Sequence, residues 1–190
     1  MAKNKVMFGV SNLHFGTYEV DDQGNVVLGT PFHVPGTVNI SLEADAEENK
    51  FYADNVVYWS GYSDNGLTGE IENALFPDEF KLAFMNYIKL ADGGIAQIKG
   101  QKNKSVYMMF QGEGDIEARR MIIYNVALGQ ITREFATVED SIEPQTATLP
   151  FTVNGDNVTG ITRVAYSPDD TPYETMFTTP PVPALPSASE

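Results

Sequence analysis

Residues 36–80, GTVNISLEADAEENKFYADNVVYWSGYSDNGLTGEIENALFPDEF, restrict the chain to a fold built on strand pairs. From residue 37 to 43 apolar and polar side chains alternate: Val38, Ile40 and Leu42 take one face, and Thr37, Asn39, Ser41 and Glu43 the other. Period-two alternation is the pattern of a half-buried strand. Residues 51–60 read differently. Phe51, Val57 and Trp59 are expected on one face and Tyr52, Val56 and Tyr58 on the other, so both faces need cover. The acidic residues 44–49 between these runs read as a loop. The Asn-Gly pair in Ser63-Asp64-Asn65-Gly66 reads as a tight hairpin turn, with residues 67–76 as the returning strand.

The same stretch holds ten Asp and Glu against one lysine, Lys50, a net of −9 out of −14 for the whole chain. Acid concentrated in one fold segment describes a face with a single sign of field. With 12 Lys and Arg against 26 Asp and Glu, wrapping of nucleic acid by phosphate neutralisation is excluded. The absence of cysteine removes thiol nucleophiles, disulfides and thiolate metal sites. The N-terminal residues enter a strand pattern and not an apolar run, so no signal peptide is expected. No stretch reaches the roughly 20 apolar residues of a membrane span.

Elsewhere the pattern repeats. Residues 5–20 and 26–28 form a hairpin around Asp21-Asp22-Gln23-Gly24-Asn25, and strands are expected near 95–99, 106–111, 120–129, 132–139, 146–153 and 160–167. Pro150 places its strand at an edge or a bulge. One helix is expected from Pro77, with Phe80, Ala83, Phe84, Tyr87 and Ile88 as its apolar stripe and Asp92-Gly93-Gly94 as its stop. The fold class is therefore mainly β, a β-sandwich or open barrel with one α-helix. Residues 1–177 form the domain, and 178–190, with four prolines, a flexible C-terminal tail.

Chemistry is weakly marked. His14 and His33 have no partner at metal-ligand spacing, and Asp21–Asn25 lacks the register of a calcium loop. Gly112-Glu113-Gly114-Asp115 is at most half a dinucleotide fingerprint. Carboxylate pairs such as Glu47/Glu48 or Glu70/Glu72 suit a glycosidase, but 26 acids produce such pairs by chance. No catalytic residue, cofactor or metal ligand is assigned. A second class, a carbohydrate- or surface-binding module, would use Trp59 and its tyrosines as a stacking platform.

Residues 36–80, together with the opening KNKVMFGVSNLHF, the bend GTPFHVPG and the later EPQTATLPFTVNG, resemble the phi-thirteen-type family of phage major tail proteins. The resemblance implies a non-enzymatic virion protein made in the host cytoplasm. Its copies would form rings, usually hexameric, stacked around a tape-measure protein into the tube through which DNA leaves the capsid. Tail initiator and terminator proteins would be further partners, with no specific DNA binding and no membrane. On that basis Tyr52, Val56, Tyr58 and Trp59 are candidate subunit-interface residues. Asp45, Glu47, Glu48 and Asn49 are a candidate ring-stacking loop, with Arg119 or Arg120 as partners, and Glu70 and Glu72 are candidate residues of an acidic lumen.

Overall fold

Alternation in the first forty residues becomes β1 (Gly9–Val20), β2 (Val26–Leu28) and β3 (Phe32–His33). The computed structural model describes residues 9–100, 102–113, 118–135, 137 and 145–186. The start of the first expected strand, Gly114 and Asp115, residues 136, 138 and 139 of the expected 132–139 strand, and the last four residues lie outside that set. The Asp21 carboxylate accepts the backbone N–H groups of Gln23 and Asn25 at 2.9 and 2.8 Å, so it serves the β1–β2 turn.

β4 (Thr37–Ala53) and β5 (Val56–Asn73) follow, then α1 (Asp78–Phe84), β6 (Tyr87–Lys89), β7 (Ile95–Gln97), β8 (Ser105–Glu113), β9 (Arg120–Leu128), β10 (Thr132–Arg133), β11 (Ala147–Val153) and β12 (Arg163–Tyr166). The main path of the sheet runs β2-β1-β8-β9-β11-β5-β4. β3 lies on β1, β12 on β9 and β10 on β11, making ten strands among the described residues, where β6 and β7 pair only with each other. The chain is thus mainly β with one short helix on a large antiparallel sheet, the class its alternation predicts.

One face of this sheet carries Leu13, Phe15, Ile71, Met108, Ile123, Leu149 and Phe151, closed over by Phe80 and Phe84 of α1. The opposite face of β1, β8 and β9 carries Tyr18, Tyr107, Met109, Ile122 and Tyr124, with Met176 packed among them. Burial on both sides explains why β8 and β9 read as nearly continuous apolar runs.

Three local expectations change. The helix stops at Phe84, where Met85 N–H bonds Lys81 O at 3.0 Å and Asn86 takes φ 52°. Tyr87 and Ile88 then enter β6, and Asp92-Gly93-Gly94 turns the β6–β7 hairpin through the Leu90 N–H to Gly94 O bond at 2.7 Å. Pro77 is the N-cap and not the first helical residue. Pro150 lies inside the sheet, between β9 and β5. Its carbonyl accepts Gly129 N–H at 2.7 Å where the β9 ladder ends, so the missing donor falls at the gap between β9 and β10. Further along, Pro181 O accepts the Tyr124 hydroxyl at 2.8 Å, and Pro183 is buried.

A buried polar knot joins β1 to the 154–161 turn. Tyr18 O–H donates to Asp156 Oδ1 at 2.7 Å, and Thr159 donates both its N–H and its hydroxyl to Oδ2 at 2.6 Å. Asn125, at φ 51° in β9, donates to Gly155 O at 2.8 Å. Burial pushes the Asp156 carboxyl pKa up, but the hydrogen bonds from Thr159 and Tyr18 outweigh it and leave the group below its ordinary value. A depressed folded-state pKa adds stability that is fully present above the unfolded value, about 3.9, and is lost as pH falls through the folded value. The denaturation midpoint of the wild type therefore drops below about pH 4 more steeply than that of Asp156→Asn, which takes up no proton there. Tyr18→Phe, which leaves a buried carboxylate oxygen short of a donor, costs about 1–3 kcal/mol in urea unfolding at neutral pH.

Candidate assembly surface

β5 has two neighbours only over part of its length. From Leu67 to Asn73 it pairs with β11 on one side and β4 on the other; from Val56 to Asp64 it pairs with β4 alone. Residues 45–64 therefore leave the sheet as a two-stranded ribbon. At about 3.3 Å per residue it is some 30 Å long. Its turn is Asp54-Asn55, with φ 51° and 64°, the positive pair that a two-residue type I′ turn requires.

This corrects the expected turn and loop. Asn65-Gly66 does not reverse the chain: it is the register break where the ribbon joins the sheet. Gly66 sits at φ 96°, and a Cβ there would lie 2.6 Å from Val153 O, so the site admits only glycine. Asp45, Glu47, Glu48 and Asn49 belong to β4 and not to a loop, with Glu47↔Ser63, Glu48↔Tyr62 and Asn49↔Gly61 in register. Acidic residues are poor strand formers, but here they are exposed on the outermost strand of the sheet, where charge discourages unwanted edge pairing. Glu48 is held by Lys50 at 2.9 Å.

Tyr52, Val56, Tyr58 and Trp59 all lie on the ribbon, outside both core clusters. Tyr58 is 76% exposed and Trp59 57%; Phe51, Val57 and Tyr62 are exposed beside them. The register pairs Phe51 with Trp59 and Tyr52 with Val57, and a bulge intervenes, so Val57 shares the face of Tyr52 and not that of Phe51 and Trp59. Tyr58 meets Phe51 edge-on, with ring centroids 6.5 Å apart. The Trp59 indole lies over Gly61, where a Cβ would come within 2.6 Å of the ring. A bare two-stranded ribbon is marginal in water, and seven large apolar side chains exposed along it describe a surface awaiting cover.

Below the ribbon the outward face of the sheet is polar. Cross-strand register aligns Asn39 with Glu72 and Thr148, Ser41 with Glu70 and Pro150, and Glu43 with Thr68 and Thr152. Their in-between neighbours Ile71, Leu149 and Phe151 point into the core. Ser41, Glu43, Thr68, Glu70, Pro150 and Thr152 line a shallow groove there. Glu72 Oε1 accepts the Thr146 hydroxyl at 2.6 Å. Glu43 thereby joins Glu70 and Glu72; its place on the small polar face of residues 37–43 was the available signal, and only register connects the two strands.

Arg120, one of the proposed partners for the acidic residues, is engaged inside the subunit. Its Nε donates to Gln111 Oε1 at 3.1 Å, and its guanidinium lies 4.0 Å from the Tyr173 ring centre and 4.9 Å from that of Phe177. His14 and His33 are cross-strand partners with ring centroids 4.8 Å apart, and Phe177 stacks on His14. Burial and the neighbouring His33 lower the His14 pKa.

A β body that projects a ribbon carrying seven exposed apolar side chains, beside a face of hydroxyls and carboxylates, has the form of a structural subunit. The chain belongs to the phage tail tube protein family, whose sequence profile matches residues 2–171, and it is a structural protein of the phage tail. Among solved structures it is similar to a chain of the anti-feeding prophage baseplate, a six-fold symmetrised cryo-EM structure, at 9% identity and a TM-score of 0.44 over 90% of this chain and 100% of that one. It is also similar to a chain of the sheath-tube complex of the extracellular contractile injection system PVC in its extended state, at 12% identity and a TM-score of 0.40 over 82% of this chain and 88% of that one. No curated protein sequence matches.

Proposed function

We propose that this chain is the major tail tube subunit, assembling into stacked hexameric rings that enclose a tape-measure protein and later conduct the phage DNA. The carrying observation is the ribbon of residues 45–64: it pairs with nothing beyond itself and exposes apolar side chains on both faces. A neighbouring copy covers that surface and completes the open edge of β4. The face of Glu43, Glu70 and Glu72 lines the channel. An array of hydroxyls and carboxylates repels phosphate, so DNA slides through without specific binding. Tail initiator and terminator proteins set where stacking begins and ends.

Electron microscopy of the purified chain across a concentration series, with sedimentation of the same samples, tests this. Rings or hollow tubes with an open channel are expected. A monomer at every concentration, both alone and co-expressed with the tape-measure and initiator proteins, would remove the reading.

A further inference from the structure

Positive charge in this chain is as segregated as negative charge. Residues 81–104 hold five of its 12 Lys and Arg (Lys81, Lys89, Lys99, Lys102 and Lys104) against one acid, Asp92, a net of +4. Lys81 is paired with Asp78 at 2.9 Å. Lys89, Lys99, Lys102 and Lys104 are exposed and make no ion pair among the described residues. They flank the β6–β7 hairpin, which pairs with no other strand and leaves Ile88, Leu90 and Ile98 exposed.

Topology puts this segment away from the ribbon. β5 runs from the ribbon turn at Val56 to Asn73 and leads directly into α1, whose Phe84 carbonyl accepts Lys104 N–H at 3.1 Å. Asn103 Nδ2 donates to the carbonyls of Leu128 and Gly129 at 2.8 and 2.9 Å, at the end of β9. Since β11 runs toward the ribbon and β9 is antiparallel to it, that end points the other way. The acidic ribbon and the lysine segment thus extend from opposite ends of the sheet.

We propose that residues 88–100 and 102–104 are the docking surface for the acidic ribbon of a second copy. Asp45 and Glu47 meet the exposed lysines, and the ribbon's apolar side chains cover Ile88, Leu90 and Ile98. The proposal rests on the tube-subunit reading and names the contact within it. Complementary patches at opposite ends make a head-to-tail contact: each subunit gives one ribbon and receives one, and the series closes into a ring or propagates as a stack. A two-fold contact of ribbon on ribbon would set acid against acid.

The test uses the full chain under whichever condition assembles the wild type. Lys99→Glu/Lys102→Glu and Asp45→Lys/Glu47→Lys each lower the sedimenting assembled fraction about tenfold or more at 0.1 M salt, where the screening length is about 10 Å. A chain carrying all four substitutions recovers it. Circular dichroism of each variant matches the wild type, because the four side chains are exposed. The wild type alone supplies a second measure: its assembled fraction falls as salt is raised from about 0.05 to 0.5 M. Wild-type assembly in either double variant, failure of the fourfold variant to recover, or indifference to salt overturns this contact and leaves the tube reading standing. A wild type that never assembles overturns both.

Discussion

A chain in which residues 47–63 are replaced by Asn-Gly folds as a monomer and forms no ring or tube. The substitution leaves the paired residues Ala46 and Asp64 flanking a two-residue turn, so the ladder closes just beyond the Asn65-Gly66 bulge. No side chain of the removed segment belongs to either core cluster, and its Lys50–Glu48 ion pair is exposed. Exposed pairs of that kind contribute about 0–1 kcal/mol. Thermal unfolding therefore shifts by only a few degrees, about what 1 kcal/mol moves in a domain of this size. Sedimentation, by contrast, shows complete loss of large species. Persistence of assembly in this variant would place the subunit interface elsewhere.

Phe80→Ala has the opposite signature. Phe80 is fully buried on α1, with ring centroids 4.9 Å from Phe15, 5.3 Å from Phe84 and 5.5 Å from Phe76. Removing the ring takes out its own burial and leaves a cavity that the surrounding rings fill only partly. The expected cost is about 3–5 kcal/mol, a large share of the roughly 5–15 kcal/mol that holds an ordinary domain together. Guanidinium unfolding should show the midpoint falling with little change in slope. Trp59→Ala, although it also removes a large aromatic ring, should move that midpoint by no more than about 0.5 kcal/mol in the free subunit, because the indole is exposed there. A Trp59→Ala effect as large as that of Phe80→Ala would show that the ribbon folds back onto the body.

Much of the fold was legible because its signals are local. Alternation at Val38, Ile40 and Leu42 announced a strand, and Asp78, Glu79, Phe80 and Phe84 announced a helix start. The apolar residues read on both faces of 51–60 stand exposed on the ribbon, which pairs there as two strands. Boundaries fared worse where one chemical preference serves two structures. Gly66 does satisfy a need for positive φ, but a bulge has the same need as a turn. The real turn, Asp54-Asn55, uses the weaker tolerance of Asp and Asn for the left-handed region. Likewise the helical stripe ran on into Tyr87 and Ile88, which fit either period, until Asn86 ended it.

By itself the sequence determined periodicity, the clustering of acid in residues 36–80 and, through resemblance, the family. Tertiary structure decided register. β11 is seven residues long and reaches only to Leu67 along β5, so everything beyond that point lacks a third strand and projects. Two strands far apart in sequence choose their pairing by the side chains they bury together, and that choice is nonlocal. It left Trp59 in water, sent Phe80 into the core and set Glu43 beside Glu70 and Glu72, none of which any window of the sequence specifies.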